Sequence, residues 1–312
     1  WLRQNPHRLH LGQIGLKLTK SDGSEAKPED IKNIEQKLDL WSGIITSKFE
    51  FEGKSVLVKT CAHPTSDQLA VSIESKLISA NKLAVKIDFP YGSPEMHATD
   101  WISETKHSTA FTGFPRNGGV FARKLDNDEY WVGLNWLGEA NLEMVKTNSF
   151  ILNPKSNSIS LNLKFSKSLI AFSLEQESVF KESEKYWKQF WTNGAAIDLS
   201  ETNDKRAKEL ERRIVLSQYL TAINCSGSLP PAETGLTTNS WYGKYHLEMH
   251  WWHAAHFALW NRLPMLEKSL DWYLKVLPSA RERAKQQGYN GVRWAKMTAP
   301  DGRDSPSPIG PL

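Results

Sequence analysis

The segment from Trp241 to Trp260, WYGKYHLEMHWWHAAHFALW, combines four tryptophans and four histidines with a single acidic residue. A helix that only fills a core carries Leu, Ile, Val and Ala, because buried indole and imidazole groups need polar partners. Indole faces stack on the C–H faces of pyranose rings, and His and Glu hydrogen-bond hydroxyl groups. The segment therefore predicts a sugar-binding surface, with an aromatic helix at a domain contact as the alternative.

Glu248 is the one acid of this segment, and the surrounding rings would desolvate its carboxyl group. An inverting glycoside hydrolase needs a protonated carboxyl at the leaving oxygen and a carboxylate that activates water, roughly 6.5–9.5 Å apart. Desolvation favours the protonated form that a general acid requires. We therefore expect Glu248 in the catalytic centre, either in proton transfer or in substrate binding, with a purely structural role as the alternative.

Other candidates for binding a sugar are aromatic residues that could stack and polar residues that could hydrogen-bond: Trp241, Tyr242, Trp252, Trp294, His246, His250, Arg293, Asp301, Arg303 and Asp304. Asp301 and Asp304 flank Arg303 in a loop rich in Gly and Pro, where such groups often bind hydroxyls. A local contact between aspartate and arginine within the turn is the alternative for this loop.

A polysaccharide lyase is a second enzyme class that these residue types allow. Arg293 and Lys296 could engage an acidic sugar, and lyases place Tyr, His and Arg or Asn around a uronate. Tyr242, His246 and Asn239 supply the remaining types. A non-catalytic carbohydrate-binding protein is a third class that the sequence leaves open.

The histidines of the segment follow a helical spacing. His246, His250 and His253 lie at i, i+4 and i+7 on one helical face, and His256 extends the row. Two such histidines can chelate zinc, but a zinc site normally adds a third ligand and a water, and no HExxH motif occurs. We expect histidines that line a polar surface, and neither a metal nor a cofactor.

The elements that position these residues change character along the chain. Up to about residue 176 apolar residues alternate with polar ones, as in Leu83, Val85 and Ile87, which predicts an antiparallel β sandwich. The stretch from Val120 to Leu134 predicts a hairpin whose turn is Asp126-Asn127-Asp128.

Beyond residue 176 the period becomes helical. The spacing of apolar residues from Val179 to Trp191 predicts a helix that stops at Asn193-Gly194, and Asp204 is a predicted N-cap for the next helix. Further helices are predicted over residues 246–261 and 265–287. The domain order is a β domain (1–176), a helical linker (177–203) and a helical domain (204–312), without internal repeats.

Three motifs resemble glycoside hydrolase family 65, whose members pair a β-supersandwich with an (α/α)6 barrel. The family motifs FWDTE, GYxGAxxPW and GxExTP are matched in order by YHLEM at 245–249, GYNGVRW at 288–294 and DGRDSPS at 301–307. The resemblance implies that Glu248 takes the place of the motif's glutamate and His246 that of its aspartate. Arg293 and Trp294 would then lie in the loop at the sugar pocket.

The sequence also departs from the family. The motif's aspartate is His246 here, and Trp294-Ala295-Lys296 replaces its Pro-Trp, so the sugar preference does not transfer. The family's general acid lies beyond GxExTP, where this sequence offers no equivalent. A twelve-helix barrel needs on the order of 200 residues, more than follow Asp204. We therefore expect a sandwich, a linker and about the first third of a barrel.

The composition of the chain restricts the classes of partner that it is expected to bind. The 39 basic and 35 acidic residues give a net charge of +4 without dense basic clusters, which argues against nucleic acid. No apolar stretch approaches the roughly 20 residues of a membrane span. Cys61 and Cys225 suggest neither a disulfide framework nor a metal cluster. The expected partner is a carbohydrate; a polysaccharide would favour the periplasm or the exterior, and the oligomeric state stays open.

Overall fold

The computed structural model describes residues 9–95, 97–115, 117–169, 176–236 and 240–305. The chain folds into two compact units. The β unit comprises residues 11–91 and 100–190, and the helical unit comprises the chain from Trp191 onward together with residues 92–99 and the N-terminal residues up to His10.

The β unit contains two large antiparallel sheets, one of four strands in the order β1-β6-β13-β12 and one of eight in the order β2-β3-β4-β5-β14-β11-β10-β9. A further small sheet pairs β7 with β8. The strands are β1 Gln13–Leu18, β2 Ile31–Asp39, β3 Ile44–Phe51, β4 Lys54–Ala62, β5 Gln68–Glu74, β6 Leu83–Asp88, β7 Tyr91–Gly92, β8 Thr99–Asp100, β9 His107–Gly113, β10 Gly118–Leu125, β11 Asp128–Leu137, β12 Ala140–Lys146, β13 Ser149–Pro154 and β14 Ser158–Ser166.

Alternation along the strands gives the sandwich its core. In β6 the predicted residues Leu83, Val85 and Ile87 are buried while their neighbours are partly exposed. Phe121 of one sheet meets Phe150 of the other with ring centroids 4.8 Å apart, so the inner faces of the two sheets pack together.

The predicted hairpin is confirmed. Strands β10 and β11 pair antiparallel with Leu125 opposite Asp128, which leaves Asp126 and Asn127 as a two-residue turn. Asp126 adopts the left-handed conformation, with φ of 51°, that such turns require. Aspartate tolerates this conformation better than most residues with a side chain.

The helices are α1 Lys76–Ser79, α2 Gln176–Asn193, α3 Ala207–Cys225, α4 Leu247–Leu259, α5 Leu263–Lys275 and α6 Leu277–Gln286. The helical unit also contains a short antiparallel ladder between β15 Tyr245–His246 and β16 Met297–Thr298. Most of α2 packs on the β unit, where Val179 is buried against Cys61 and Ala70.

The predicted stop at Asn193-Gly194 is confirmed, since α2 ends at Asn193. A Cβ atom at Gly194 would lie 2.3 Å from the guanidinium carbon of Arg262, so any side chain there would displace the side chain of Arg262. No helix within the described residues is both long and apolar enough to cross a membrane.

Two predicted boundaries are wrong. Asp204 does not cap α3, which begins at Ala207; its carboxylate instead accepts from the backbone N–H of Arg206 in a preceding turn. The helix predicted over residues 265–287 is two helices, because Pro278 lacks the N–H that would continue α5. The predicted fold class, an antiparallel sandwich followed by helical hairpins, is confirmed.

Candidate functional site

The candidate site lies where two predicted segments of the helical unit meet. The ladder of β15 and β16 joins the aromatic segment to the loop after Gly288, with Tyr245 opposite Thr298 and His246 opposite Met297. The backbone N–H of Leu247 also donates to the carbonyl of Lys296 at 2.8 Å. Main-chain pairing thus holds these two segments together.

Two further segments extend the ladder. Ala232 forms an isolated bridge with Tyr245, and Asp304 forms one with Thr298. Side chains alternate between the faces of such a ladder. Tyr245 turns toward the core, where its ring lies 5.7 Å from that of Trp272. His246 therefore faces the opposite side.

The residues before β15 form a left-handed turn. Trp241 and Tyr242 have φ angles of 48° and 59°, and Gly243 follows with 69°. Left-handed backbone costs a residue with a side chain about 1–2 kcal/mol, and such strain gathers at functional sites. The ring of Trp241 lies 5.7 Å from the imidazole of His246.

Charged side chains surround His246. Oε2 of Glu233 lies 3.6 Å from Nδ1 of His246, beyond hydrogen-bond distance but in close electrostatic contact. Oε1 of Glu248 lies 2.8 Å from Nζ of Lys296. We call Glu233, His246, Glu248 and Lys296 the His246 cluster.

Burial is the largest influence on the pKa of His246 and lowers it below its ordinary value. The carboxylates of Glu233 and Glu248 act in the opposite direction, while Lys296 and His253 add to the lowering of the pKa. The net effect is a neutral imidazole near pH 7.

Several buried polar atoms around this ladder have no hydrogen-bond partner among the described residues. They are Nε2 of His246, Oε2 of Glu233, Nδ1 of His253, Oγ1 of Thr298, Oγ of Ser305 and Nε1 of Trp294. Buried polar atoms are rarely left in this state. Together with the aromatic rings, they could hydrogen-bond and stack on a molecule that carries many hydroxyl groups.

His250 has a different place from the one expected. It is buried between α4 and α5, with Nε2 2.8 Å from Oγ of Ser269 and Nδ1 2.9 Å from the hydroxyl of Tyr273. Because Ser269 donates to a backbone carbonyl, it accepts from Nε2 of His250, and Tyr273 donates to Nδ1. Both ring nitrogens are therefore occupied in holding two helices together.

Trp252 projects from α4 with 74% of its surface exposed, beside Trp251 at 72%. Tyr242 lies in the left-handed turn before β15, and Nζ of the buried Lys244 lies 5.5 Å from its ring centre. Asn239, a residue of the lyase hypothesis, is outside the described residues.

The predicted residues after Gly288 make local contacts. The guanidinium of Arg293 lies 4.3 Å from the ring centre of Tyr289. Asp301 accepts from Nε of Arg303 at 2.6 Å, which is the turn contact named as the alternative. These groups are engaged with their chain neighbours.

Two other residues of this region contact the helices. Asp304 lies 3.8 Å from Arg283 of α6, and Trp294 packs edge-on against Tyr273 of α5. Trp294 thereby joins the aromatic core that lies under the ladder, while its indole nitrogen is one of the buried atoms without a partner.

Glu233 is the site residue that sequence reasoning missed. It lies in the loop PPAETG between α3 and the aromatic segment, and the neighbouring prolines and glycine identified only a connection. An acid in a loop just before an aromatic segment was the one available signal. No group of three potential metal ligands converges in the part of the chain that the structure describes.

The fold is similar to two solved structures. A protein described as a kojibiose phosphorylase from the human microbiome superposes with a TM-score of 0.68 at 12% identity, covering 96% of this chain and 43% of that one. A bacterial glucoamylase in complex with acarbose gives a TM-score of 0.57 at 12% identity, covering 93% of this chain and 46% of the other. The chain thus spans less than half the length of these proteins.

At this level of identity the similarity concerns the fold. No protein-family profile matches the sequence, and no curated protein matches it by sequence comparison.

Proposed function

We propose that the chain belongs to a carbohydrate-active enzyme that cleaves glycosidic bonds, with the His246 cluster as part of its substrate site. The finer form of the proposal is an inverting glycoside hydrolase. The site lies in the predicted helical domain of residues 204–312.

The observation that carries this proposal is the concentration of buried polar atoms without partners beside aromatic rings. A sugar site needs hydrogen-bonding groups to orient hydroxyls and apolar faces to bind the ring. Nε2 of His246 and Oε2 of Glu233 supply the first requirement, and Trp241 supplies the second. The two proteins with a similar fold bear names of carbohydrate-active enzymes, which supports the same conclusion.

The residues have distinct proposed roles. Glu248, held by Lys296, binds the sugar beside the scissile bond or takes part in proton transfer. Trp241 stacks on the sugar ring, with Tyr242 beside it in the strained turn. His246 hydrogen-bonds a hydroxyl. The remaining predicted binding residues, Trp252, Arg293, Trp294, Asp301, Arg303 and Asp304, belong to outer parts of the site, and His250 supports α4.

A polysaccharide lyase is the second candidate, and the contacts favour it less. A uronate needs cationic partners, but Arg293 packs on Tyr289, Arg303 pairs with Asp301, and Lys296 pairs with Glu248. A lyase product absorbs in the ultraviolet through its new double bond, so absorbance distinguishes the two reactions.

The test is an assay of the whole enzyme, to which we propose that the chain belongs, on kojibiose, maltose and longer glucans, with and without inorganic phosphate. We expect release of free glucose, and of glucose 1-phosphate only if phosphorolysis replaces hydrolysis. Glu248→Gln should lower turnover at least about tenfold, equivalent to roughly 1.4 kcal/mol of transition-state stabilisation. Its fold should survive, since the change is nearly isosteric.

Glu267→Gln is the matched control, because Glu267 is an exposed carboxylate on α5 away from the ladder. It should retain wild-type turnover. A folded Glu248→Gln protein with wild-type turnover would remove Glu248 from the site. Sugar binding without turnover by any variant would favour a carbohydrate-binding protein.

A further inference from the structure

Glu233 is held in place from two sides. Its neighbour Ala232 bridges to Tyr245, and its own backbone carbonyl accepts from Nε2 of His253 at 3.0 Å. These contacts fix the loop against both β15 and α4. The carboxylate is thereby directed toward His246 by the backbone rather than by a side-chain partner.

The bond to the carbonyl also settles the proton on His253. A carbonyl oxygen only accepts, so Nε2 of His253 carries the hydrogen. In a neutral imidazole the other nitrogen then holds a lone pair. That nitrogen, Nδ1, is buried without a hydrogen-bond partner among the described residues.

The same argument applies to His246, which is 4% exposed. Its Nδ1 lies 3.6 Å from Oε2 of Glu233, whose negative charge stabilises a proton on that nitrogen. A proton on Nδ1 leaves a lone pair on Nε2. This nitrogen too is buried and without a partner in the described part of the chain.

Among the described residues, the unused hydrogen-bonding capacity of the His246 cluster and of the neighbouring His253 therefore consists mainly of acceptors. Nε2 of His246, Nδ1 of His253 and Oε2 of Glu233 all offer lone pairs, and the ammonium of Lys296 already pairs with Glu248. The lone pairs of these acceptors would repel an anionic oxygen placed here. A hydroxyl group can donate to them, so the chemistry suits a neutral polyol.

We propose that Glu233 is a positioning residue that keeps the proton of His246 on Nδ1, so that Nε2 accepts a hydrogen bond from one hydroxyl of the bound sugar. This inference rests on the proposed function for its ligand, but not for the state of His246. Glu233 thereby determines specificity through His246, and a sugar that lacks this hydroxyl is bound more weakly.

The state of His246 can be measured without any ligand. Nitrogen-15 NMR of histidine-labelled protein distinguishes the two tautomers, and the His246→Gln variant assigns the signal. We expect the Nδ1–H tautomer in the wild type and a shift toward Nε2–H in Glu233→Ala. The Nε2–H tautomer in the wild-type protein would overturn the inference, whatever the protein binds.

Ligand selectivity gives the second measurement. The best-bound member of a panel of kojibiose, maltose and acarbose is compared with its monodeoxy analogues by calorimetry. In the wild type one deoxy analogue should bind at least about tenfold more weakly than its parent. In Glu233→Ala the parent and that analogue should bind equally, while Glu267→Gln retains the full difference.

The outcomes separate the two proposals. If the wild type binds no sugar in the panel while His246 holds the Nδ1–H tautomer, the proposed function fails and the tautomer assignment stands. If sugars bind but Glu233→Ala keeps the wild-type selectivity, the inference about Glu233 fails alone. Should Glu233→Ala not fold, Glu233→Gln replaces it, because the amide preserves the shape while removing the charge that holds the proton.

Discussion

Each unit buries a basic side chain among polar groups, and the two surroundings differ in one respect. In the β unit Arg123 is 1% exposed, and all its nitrogens donate to acceptors. These are the hydroxyls of Tyr130 and Thr109, the carbonyls of Ser108 and Pro90, Oδ1 of Asn148 and Nδ1 of His107. In the helical unit, His246 and its neighbours have acceptor atoms without a donor in the described part of the chain.

The difference teaches how to distinguish a structural network from a binding one. A fully satisfied buried network rigidifies a fold and offers nothing to a ligand. The partners of Arg123 are neutral, and the ring of Phe89 lies 5.0 Å from its guanidinium carbon. The cluster around His246 is charged and incomplete, so a ligand can complete it.

Removing Arg123 should give the largest effect on stability. Arg123→Met removes the buried donor that serves six acceptors, and we expect the free energy of unfolding to fall by about 3–5 kcal/mol. Urea unfolding followed by circular dichroism measures the change. Arg206→Met is the control, because Arg206 is exposed and solvent screens its pair with Asp204.

Arg123→Lys sharpens the test. The ammonium keeps the positive charge but cannot reach acceptors arranged around a planar fork. We expect a loss smaller than for Arg123→Met but still well above that of the control. A loss in Arg123→Met no greater than in Arg206→Met would show that the network contributes little to stability.

The next largest effect should come from the buried histidines, which make the stability of the fold depend on pH. Burial lowers the pKa of His246, His250, His253 and His256 in the helical unit. Below the ordinary histidine value near pH 6.5, the unfolded chain binds protons that the folded chain does not. Stability is therefore complete above this pH and falls as the pH drops below it.

In the β unit the pKa of His107 shifts in the same direction, because burial and the charge of Arg123 both lower it. Burial also lowers the pKa of His10, so the helical unit holds five such histidines against one in the β unit. We therefore expect the helical unit to lose protection first as the pH falls from 7 to 5. Hydrogen exchange resolved along the chain measures this. His250→Asn should reduce the slope, whereas the exposed His97→Gln should not. Equal loss in both units would contradict the comparison.

Much of the β unit was predictable from sequence, because alternation reports burial directly. Strand β6 and the hairpin of β10 and β11 follow from local pattern and turn chemistry. In the helical unit α4 was predicted within about two residues, yet Trp241 to His246 is not helical. No local sequence pattern predicts that β15 pairs with β16, since that ladder joins residues some fifty positions apart.

The site was predictable in part for the same reason. The types of residue in the aromatic segment predicted sugar chemistry, which stays a prediction, and the carboxylate of Glu248 acts to raise the pKa of His246. His250 belongs to the same sequence pattern, but its side chain hydrogen-bonds Ser269 of α5. The spacing of residues along a helix cannot show which neighbouring element each face of the helix contacts. Glu233 was missed since its role depends on a backbone bridge that only the fold creates.

Relief of backbone strain in the left-handed turn at Trp241 and Tyr242 should have the smallest effect on the free energy of unfolding. Tyr242→Gly relieves a left-handed conformation, with φ of 59°, at the cost of extra chain entropy in the unfolded state. We expect a gain of about 0.5–1 kcal/mol in the free energy of unfolding. Sugar affinity should nevertheless fall a few-fold, because the turn that holds Trp241 beside His246 becomes more flexible.

Asn81→Gly is the control in the β unit. Asn81 is also left-handed, with φ of 56°, but it lies in a turn before β6. Asparagine tolerates this conformation, so the gain should be smaller, and sugar affinity should not change. A gain in stability that leaves sugar affinity intact in Tyr242→Gly would mean that the strain has no part in binding. A loss of affinity despite greater stability would mark the turn as shaped for the ligand at the expense of the fold.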